Sequence, residues 1–340
     1  MGRGARLRIL ITGATGFVGR ALVRQLMTAD SSNASASSGV SGPSFDIVAG
    51  VRQSSTSLPP SIKQCVVGNL AVDSDWREAV RGVDAIVHCA ARVHVMRDTA
   101  KDPLDAFRAV NVEGTLSLAR QAAKAGVKRF VFVSSIKVNG EATTVGQPFQ
   151  ADDPAVPRDA YGISKHEAEV GLSQLAAESG MEVVIVRPPL VYGRGVKANF
   201  RVMMSAVARR VPLPLGCIDD NRRSMVSLDN LVDLLIACTQ HPAAANQTFL
   251  VSDGEDLSTA QLLRRLGQAM GRPARLLPVP VSWLERGAAV LGRAYVAQRL
   301  CGSLQVDISK TRQRLGWVPP IGIDEGLKRA AEGYLREASV

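Results

Sequence analysis

The stretch "LRILITGATGFVGRALVRQL" (7–26) constrains the fold more than any other part of the chain. A β-branched run of strand length (7–12) ends in a turn carrying Gly13, Gly16 and Gly19, and a helical pattern opens at Phe17. Glycine accepts backbone angles that other residues avoid, and without a side chain it lets the backbone approach a pyrophosphate closely. The helix behind the turn offers unpaired N–H groups and the positive end of its dipole to that anion. Alone, a glycine triplet is a weak signal. Between a strand and a helix at the head of a βαβ unit it is a strong one, and it assigns Gly13, Thr15, Gly16, Phe17 and Val18 to a dinucleotide's phosphates.

The rhythm set by this unit continues. Buried-strand patterns recur at 46–51, 65–67, 85–90, 129–134 and 182–187, and amphipathic helices are expected at 17–28, 103–125 and 160–179. Strands regularly separated by helices imply right-handed crossovers and an α/β fold with a doubly wound parallel sheet, placed here over 1–190. The Ser/Gly/Ala-rich segment 30–45 reads as a surface loop. After 190 prolines accumulate and helices are expected at 197–210, 228–240, 258–270 and near 283–298. This marks a smaller C-terminal lobe over 191–340, with segments near 225–252 returning to the main sheet. The helix near 283–298 is amphipathic enough to suit a membrane surface, but packing on the protein's own core is the expected use of such a face.

Composition narrows the functional classes. With 340 residues and 46% hydrophobic content the chain is long and apolar enough for a large core. No run approaches the roughly 20 apolar residues of a membrane span. The opening residues lead straight into a strand without an apolar signal core. Five cysteines, odd in number and without a CxxC pair, fit a reducing compartment, and the four histidines show no metal-ligand spacing. A cytoplasmic protein with no metal is expected. The net charge of +10 is scattered, and aromatics make up only 4%, so no nucleic-acid partner is expected. The excess charge suits an anionic small ligand such as a nucleotide.

The end of the second strand bears on which dinucleotide is bound. A carboxylate there would hydrogen-bond the ribose hydroxyls of NAD, whereas "DIVAGVRQSS" places Arg52 at that point. An arginine offers a charged fork to a 2′-phosphate, which favours NADP(H) over NAD(H). Asn69 and Leu70, just after the third strand, are placed to edge the adenine.

Several motifs now stand in order along nearly the whole chain: TGATGFVG (12–19), VHCAA (87–91), NVEGT (111–115), VSSIKVNG (133–140), YGISK (161–165), RPPLVYG (187–193) and RRSMVSLDNL (222–231). In these the sequence resembles the extended short-chain dehydrogenase/reductase family of nucleotide-sugar epimerases, dehydratases and reductases. The resemblance implies a Rossmann-type domain with a substrate-binding C-terminal lobe. Within "AYGISK" it implies a role for a pair that would otherwise pass as ordinary helix surface. Tyr161 and Lys165 lie one helical turn apart and project from the same face. A phenol titrates near about 10, and an adjacent ammonium together with an oxidised nicotinamide would lower that value. Tyr161 is thus the expected general acid/base, and Lys165 its electrostatic partner and ribose anchor. Ser135 aligns with the family's hydroxyl that hydrogen-bonds the reacting carbonyl oxygen, with Ser134 as the alternative. Ala90, Ala91, Arg92 and Pro188 are expected along the nicotinamide end. Asn111 matches a buried asparagine that serves either the site or helix support. Asn199 and Arg223, with Arg222 as the alternative, match positions that hold the diphosphate of a nucleotide sugar.

Two departures from the family pattern are informative. Sugar 4,6-dehydratases carry an Asp-Glu pair directly after the hydroxyl residue, where this chain has Ile136 and Lys137, so dehydration is not expected. The more usual VYG is VNG here, and the contact made by Asn139 is not predictable from the sequence. The leading expectation is NAD(P)H-dependent reduction of the 4-keto group of a UDP-linked 6-deoxy-hexosamine for surface polysaccharide synthesis. The alternative is a UDP-hexose or UDP-N-acetylhexosamine 4-epimerase with tightly bound NAD, using the same three residues. A dinucleotide-sensing regulator would dispense with the tyrosine or the lysine, and both are present. Homodimers through a helix pair are common in the family, though no motif in this chain requires one.

Overall fold

The computed structural model describes residues 6–35, 44–93 and 102–338. In chain order its elements begin with β1 (Leu7–Thr12), α1 (Phe17–Ser35), β2 (Phe45–Val51), β3 (Lys63–Val66), β4 (Ala85–His88) and α2 (Pro103–Arg108). A π-helical turn, Ala109–Gly114, joins α2 to α3 (Thr115–Lys124) and is followed by β5 (Arg129–Val133), α4 (Ala160–Ser179) and β6 (Glu182–Arg187). The remainder contains β7 (Leu190–Tyr192), α5 (Ala198–Ala208), β8 (Arg223–Ser227), α6 (Leu228–Gln240), β9 (Thr248–Leu250) and β10 (Asp256–Leu257). Helices α7 (Thr259–Ala269), α8 (Val281–Val290), α9 (Ala294–Cys301), α10 (Ser309–Leu315) and α11 (Ile323–Ala338) close the chain.

These elements divide into two compact units. The first takes residues up to 139, 154–187 and 232–249, and the second takes 140–153, 188–231 and 250 onward. Segment 140–153 therefore departs from the boundary at 190 expected from the sequence. Backbone bridges pair Thr143 with Ser303 and Phe149 with Val306, and these tie it to the second unit.

In the first unit a seven-stranded sheet has the order β3-β2-β1-β4-β5-β6-β9. Its pairs from β3 through β6 are parallel. The strands are near-continuous apolar runs because helices cover both faces of such a sheet. Phe130 and Phe132, two residues apart, point to one face and pack with Leu118, Ala119, Ala122 and Leu172. The strand order reverses between β1 and β4. In open α/β sheets the crevice beyond the carboxyl ends of such a strand pair is where ligands bind.

Helix α1 runs to Ser35, further than the expected 17–28, so residues 30–35 of the anticipated loop 30–45 are helical; 36–43 lie outside the described residues, and Phe45 already belongs to β2. The second unit holds a three-stranded sheet, β10-β8-β7. Tyr192 anchors it: its hydroxyl donates to Asp253 Oδ2 at 2.6 Å, and its ring stacks on Phe200 at 5.3 Å. Gly326 of α11 makes room for this ring, since a Cβ there would stand 2.5 Å from the Tyr192 hydroxyl. The helix expected near 283–298 is two helices, α8 and α9. Packing on the core is slighter than anticipated, for no residue of α8 and only Ala297 of α9 is buried. No helix among the described residues is long and apolar enough to cross a membrane.

Candidate active site

The glycine turn is shaped by close backbone approach. Gly13 takes φ +65°, and a Cβ there would stand 2.8 Å from the Ala90 nitrogen. Gly19 is tighter still: a Cβ would lie 2.2 Å from the Gly13 carbonyl oxygen, which accepts the Gly16 N–H at 2.8 Å. The turn thus brings the ends of β1 and β4 together and aims the start of α1 along the crevice. Thr15 and Gly16 are exposed, and Phe17 and Val18 are half-buried. This cradle, which side chains would fill, fits the phosphates of a dinucleotide.

A buried histidine underlies the cradle. His88 sits between two hydroxyls, Thr12 Oγ1 at 2.7 Å from Nδ1 and Thr115 Oγ1 at 3.0 Å from Nε2, and stacks on Phe132 at 5.9 Å. Thr12 Oγ1 also accepts the Ala90 N–H at 3.3 Å. Burial, reinforced by the Lys165 charge, pushes the imidazole down to about 3 from 6.5. Between those values the unfolded chain binds a proton that the folded chain refuses, so stability falls as pH drops from 6.5 toward 3. The expected loss is up to roughly 5 kcal/mol across that window. Urea unfolding midpoints measured through it should fall more steeply for the parent than for His88→Asn, which starts lower but has no proton to take up.

Beyond β4, Ala90, Ala91 and Arg92 are half-buried, and Asn111 fixes the last of them. The Asn111 carboxamide accepts the Arg92 N–H at 2.8 Å and donates to the Arg92 carbonyl and to Ser164 Oγ, both at 3.0 Å. Asn111 stands in the π-helical turn and ties this loop to α4. In the same turn Gly114 leaves space for Leu70, whose Cγ would be 2.7 Å from a Cβ. Asn69 and Arg52 are exposed.

Helix α4 carries the tyrosine and lysine. Asp159 caps it, accepting the Gly162 N–H at 2.7 Å and pairing with Lys137. Tyr161, in the first turn, sets its ring edge-on to Phe107 at 6.0 Å, and the Arg92 guanidinium lies 5.6 Å over the other ring. Lys165 is buried, with Nζ donating to the Val133 carbonyl at 2.8 Å and lying 4.3 Å over the Phe132 ring. That carbonyl ends β5, two residues before Ser135. Ser135 is half-buried and extended, and its Oγ accepts the Lys137 N–H at 3.3 Å. Ser134 turns the other way and is buried, with Oγ donating to Glu169 at 2.5 Å. Ser134 is thus taken up by the buried carboxylate, while Ser135 faces the other way, as the alternation of extended side chains requires.

In the protein alone, burial dominates the electrostatics of the pair. Burial, with Asp159 adding to it, raises the Tyr161 phenol above its ordinary value. The Lys165 ammonium is engaged with a carbonyl and an aromatic face, and burial lowers it to about 8 against the opposing pull of Glu169. In this structure the desolvation of the phenol outweighs any acidification by the ammonium.

A buried network that sequence reasoning missed lies behind these residues. Glu169, one turn beyond Lys165, receives Arg187 at 2.6 and 3.0 Å as well as Ser134. Arg187 Nη1 donates to Asn139 Oδ1 at 3.0 Å, a contact of the unusual asparagine of VNG. The signal was available only in part, as a helical Glu four residues after Lys165.

In the second unit Asn199 is exposed in the first turn of α5. Arg223 is half-buried, and its Nη1 donates to the carbonyls of Arg299 and Gly302 at 2.9 and 3.0 Å. Arg222 donates likewise to Asp219 and Asn221. Pro188, directly after β6, is buried. Among the described residues no cluster of His, Cys, Asp and Glu could hold a metal ion.

Residues 9–252 match the sequence model of the NAD dependent epimerase/dehydratase family. The chain is 46% identical over 328 residues to a UDP-glucose 4-epimerase of Vibrio cholerae, covering 96% of this chain and 95% of that one. The fold is shared with a UDP-glucose 4-epimerase of Thermotoga maritima solved with UDP-glucose (TM-score 0.73, 20% identity, 98% and 100% of the two chains). It is shared also with a UDP-glucuronic acid 4-epimerase of Bacillus cereus solved with NAD (TM-score 0.75, 17% identity, 98% of each chain).

Proposed function

The chain belongs to the NAD dependent epimerase/dehydratase family, and from that premise we propose that it inverts C4 of a UDP-linked hexose or N-acetylhexosamine. The observation that carries the proposal is the 46% identity, along 96% of the chain, to a UDP-glucose 4-epimerase. It supports the epimerase reading over the reductase reading that leads from sequence alone.

The proposed division of labour rests on the family resemblance of Ser135, Tyr161 and Lys165. Tyr161, at the head of α4, takes the proton of the C4 hydroxyl as that carbon is oxidised, and returns it when the other face of the resulting 4-keto sugar is reduced. Ser135, half-buried at the end of β5, donates a hydrogen bond to the same oxygen. Lys165, tied to the Val133 carbonyl, supplies the positive charge that favours the phenolate while the proton is away. A nicotinamide dinucleotide would supply the acceptor and donor of hydride. Gly13, Thr15, Gly16, Phe17 and Val18 would hold its phosphates, Asn69 and Leu70 its adenine, and Ala90, Ala91, Arg92 and Pro188 its nicotinamide end. Asn199 and Arg223 are assigned to the sugar nucleotide's diphosphate.

A second reading, NADPH-dependent reduction of a UDP-4-keto-6-deoxy-hexosamine, is favoured by Arg52, exposed where a ribose-binding carboxylate would otherwise stand. One experiment separates the two. The protein is incubated with UDP-glucose or UDP-N-acetylglucosamine without added dinucleotide, and in parallel with a UDP-4-keto-6-deoxy-hexosamine plus NADPH or NADH. Formation of the C4 epimer in the first arm supports epimerisation. Stoichiometric NADPH oxidation in the second arm, with no epimer in the first, assigns reduction instead.

A further inference from the structure

The α8–α9 hairpin leaves its largest apolar side chains uncovered, while Val281, Leu284, Ala288 and Leu300 are half-buried. In α9 only Ala297 is buried, and in α8 no residue is. Trp283 is 68% exposed, Val290 87% and Leu291 74%, with Tyr295 and Val296 half exposed. Single exposed apolar residues are ordinary, but five large ones on one hairpin form a patch that calls for an occupant. Trp283 and Val290 are seven residues apart, so they lie on one face of α8 two turns from each other. Gly292, at φ +65°, turns the chain directly after Leu291, placing Val290 and Leu291 at the tip and Tyr295 and Val296 just beyond it.

The base of the hairpin is fixed. Asn221 Nδ2 donates to the Leu300 and Gly302 carbonyls at 3.2 and 3.1 Å, Thr259 Oγ1 to Leu300 at 2.6 Å, and Arg223 to Arg299 and Gly302. The exposed tip therefore stands on an ordered mount.

Charge selects the occupant. Residues 281–301 carry three exposed arginines, Arg286, Arg293 and Arg299, against a single acid, Glu285. Arg299 lies 5.4 Å over the Tyr295 ring, which joins a cation to the apolar patch. A second copy paired through this face by a twofold axis would bring arginines against arginines. An anionic lipid surface neutralises them, and Trp, Tyr and branched aliphatics flanked by arginine are the residues that settle at a headgroup boundary.

We propose that the α8–α9 hairpin docks this protein on an anionic membrane surface. Trp283, Val290, Leu291, Tyr295 and Val296 enter the headgroup boundary, and Arg286, Arg293 and Arg299 pair with lipid phosphates. The inference does not depend on the sugar chemistry proposed above.

Tryptophan emission tests it cleanly, because Trp76 and Trp317 are only 2% and 7% exposed and Trp283 alone faces solvent. With vesicles of phosphatidylglycerol and phosphatidylcholine the emission should shift to the blue and the protein should sediment with the lipid, and less so as salt is raised. Vesicles of phosphatidylcholine alone should bind less. A Val290→Asp/Leu291→Asp variant should weaken binding at least about tenfold, with its urea unfolding curve unchanged because both side chains are exposed. Failure to bind anionic vesicles, or equal binding by the double variant, would overturn the proposal. So would sedimentation velocity showing a dimer that the same variant disrupts, since the face would then belong to a second copy.

Discussion

Tyr161→Phe is expected to lower kcat about a thousandfold while leaving dinucleotide affinity within a few-fold of the parent, the scale of a lost general acid/base. The ring is retained, so its edge-on contact with Phe107 and the Arg92 stack beyond it survive. Only the hydroxyl proposed to exchange the proton is gone. Steady-state turnover with a UDP-hexose, together with dinucleotide titration by fluorescence, checks both halves. Loss of cofactor binding in step with turnover would mean a collapsed site. Unchanged turnover would remove Tyr161 from the chemistry.

The second large effect concerns the buried pair behind the site. Arg187→Met is expected to destabilise the protein on the order of 3–5 kcal/mol, because it strands the Glu169 carboxylate in the interior with the Ser134 hydroxyl. Adding Glu169→Gln should recover part of the loss, since the uncompensated charge is then removed. A double-mutant cycle in urea measures this directly. Electrostatics gives an independent readout. Glu169 pulls the Lys165 ammonium upward against burial, which sets it at about 8. Glu169→Gln removes that pull, so Lys165 should lose its proton at lower pH than in the parent. An NMR titration of the lysine Nζ should follow the shift, and an unmoved titration would confine Glu169 to packing.

Much of the fold was legible because its determinants are local. The runs at 7–12 and 182–187 form strands with those bounds, and α4 spans 160–179 as its pattern implied. The glycine turn was readable because only glycine tolerates the approach of Gly19 to the Gly13 carbonyl. Strand β4 stops at His88, short of the expected 90, because the Thr12 hydroxyl takes over the backbone bonding at Ala90. Long-range pairing was not legible. Glu169 looks like a solvated helix residue until Arg187, at the end of the neighbouring strand, is folded against it. Asn139 meets that same arginine only in the folded chain. The π-helical turn within 103–125 leaves no mark on a 3.6-residue period. The amphipathic pattern near 283–298 correctly marked an apolar face, but periodicity does not say whether the protein itself covers it.

The central claim is that oxidation and re-reduction at C4 take place over Tyr161, with hydride leaving the sugar and returning within one bound complex. Incubation with UDP-glucose carrying deuterium at C4, without added dinucleotide, tests this most directly. The account predicts UDP-galactose that keeps its deuterium at C4. Deuterium washed out of the product, or no C4 epimer from any UDP-hexose or UDP-N-acetylhexosamine supplied, would contradict it.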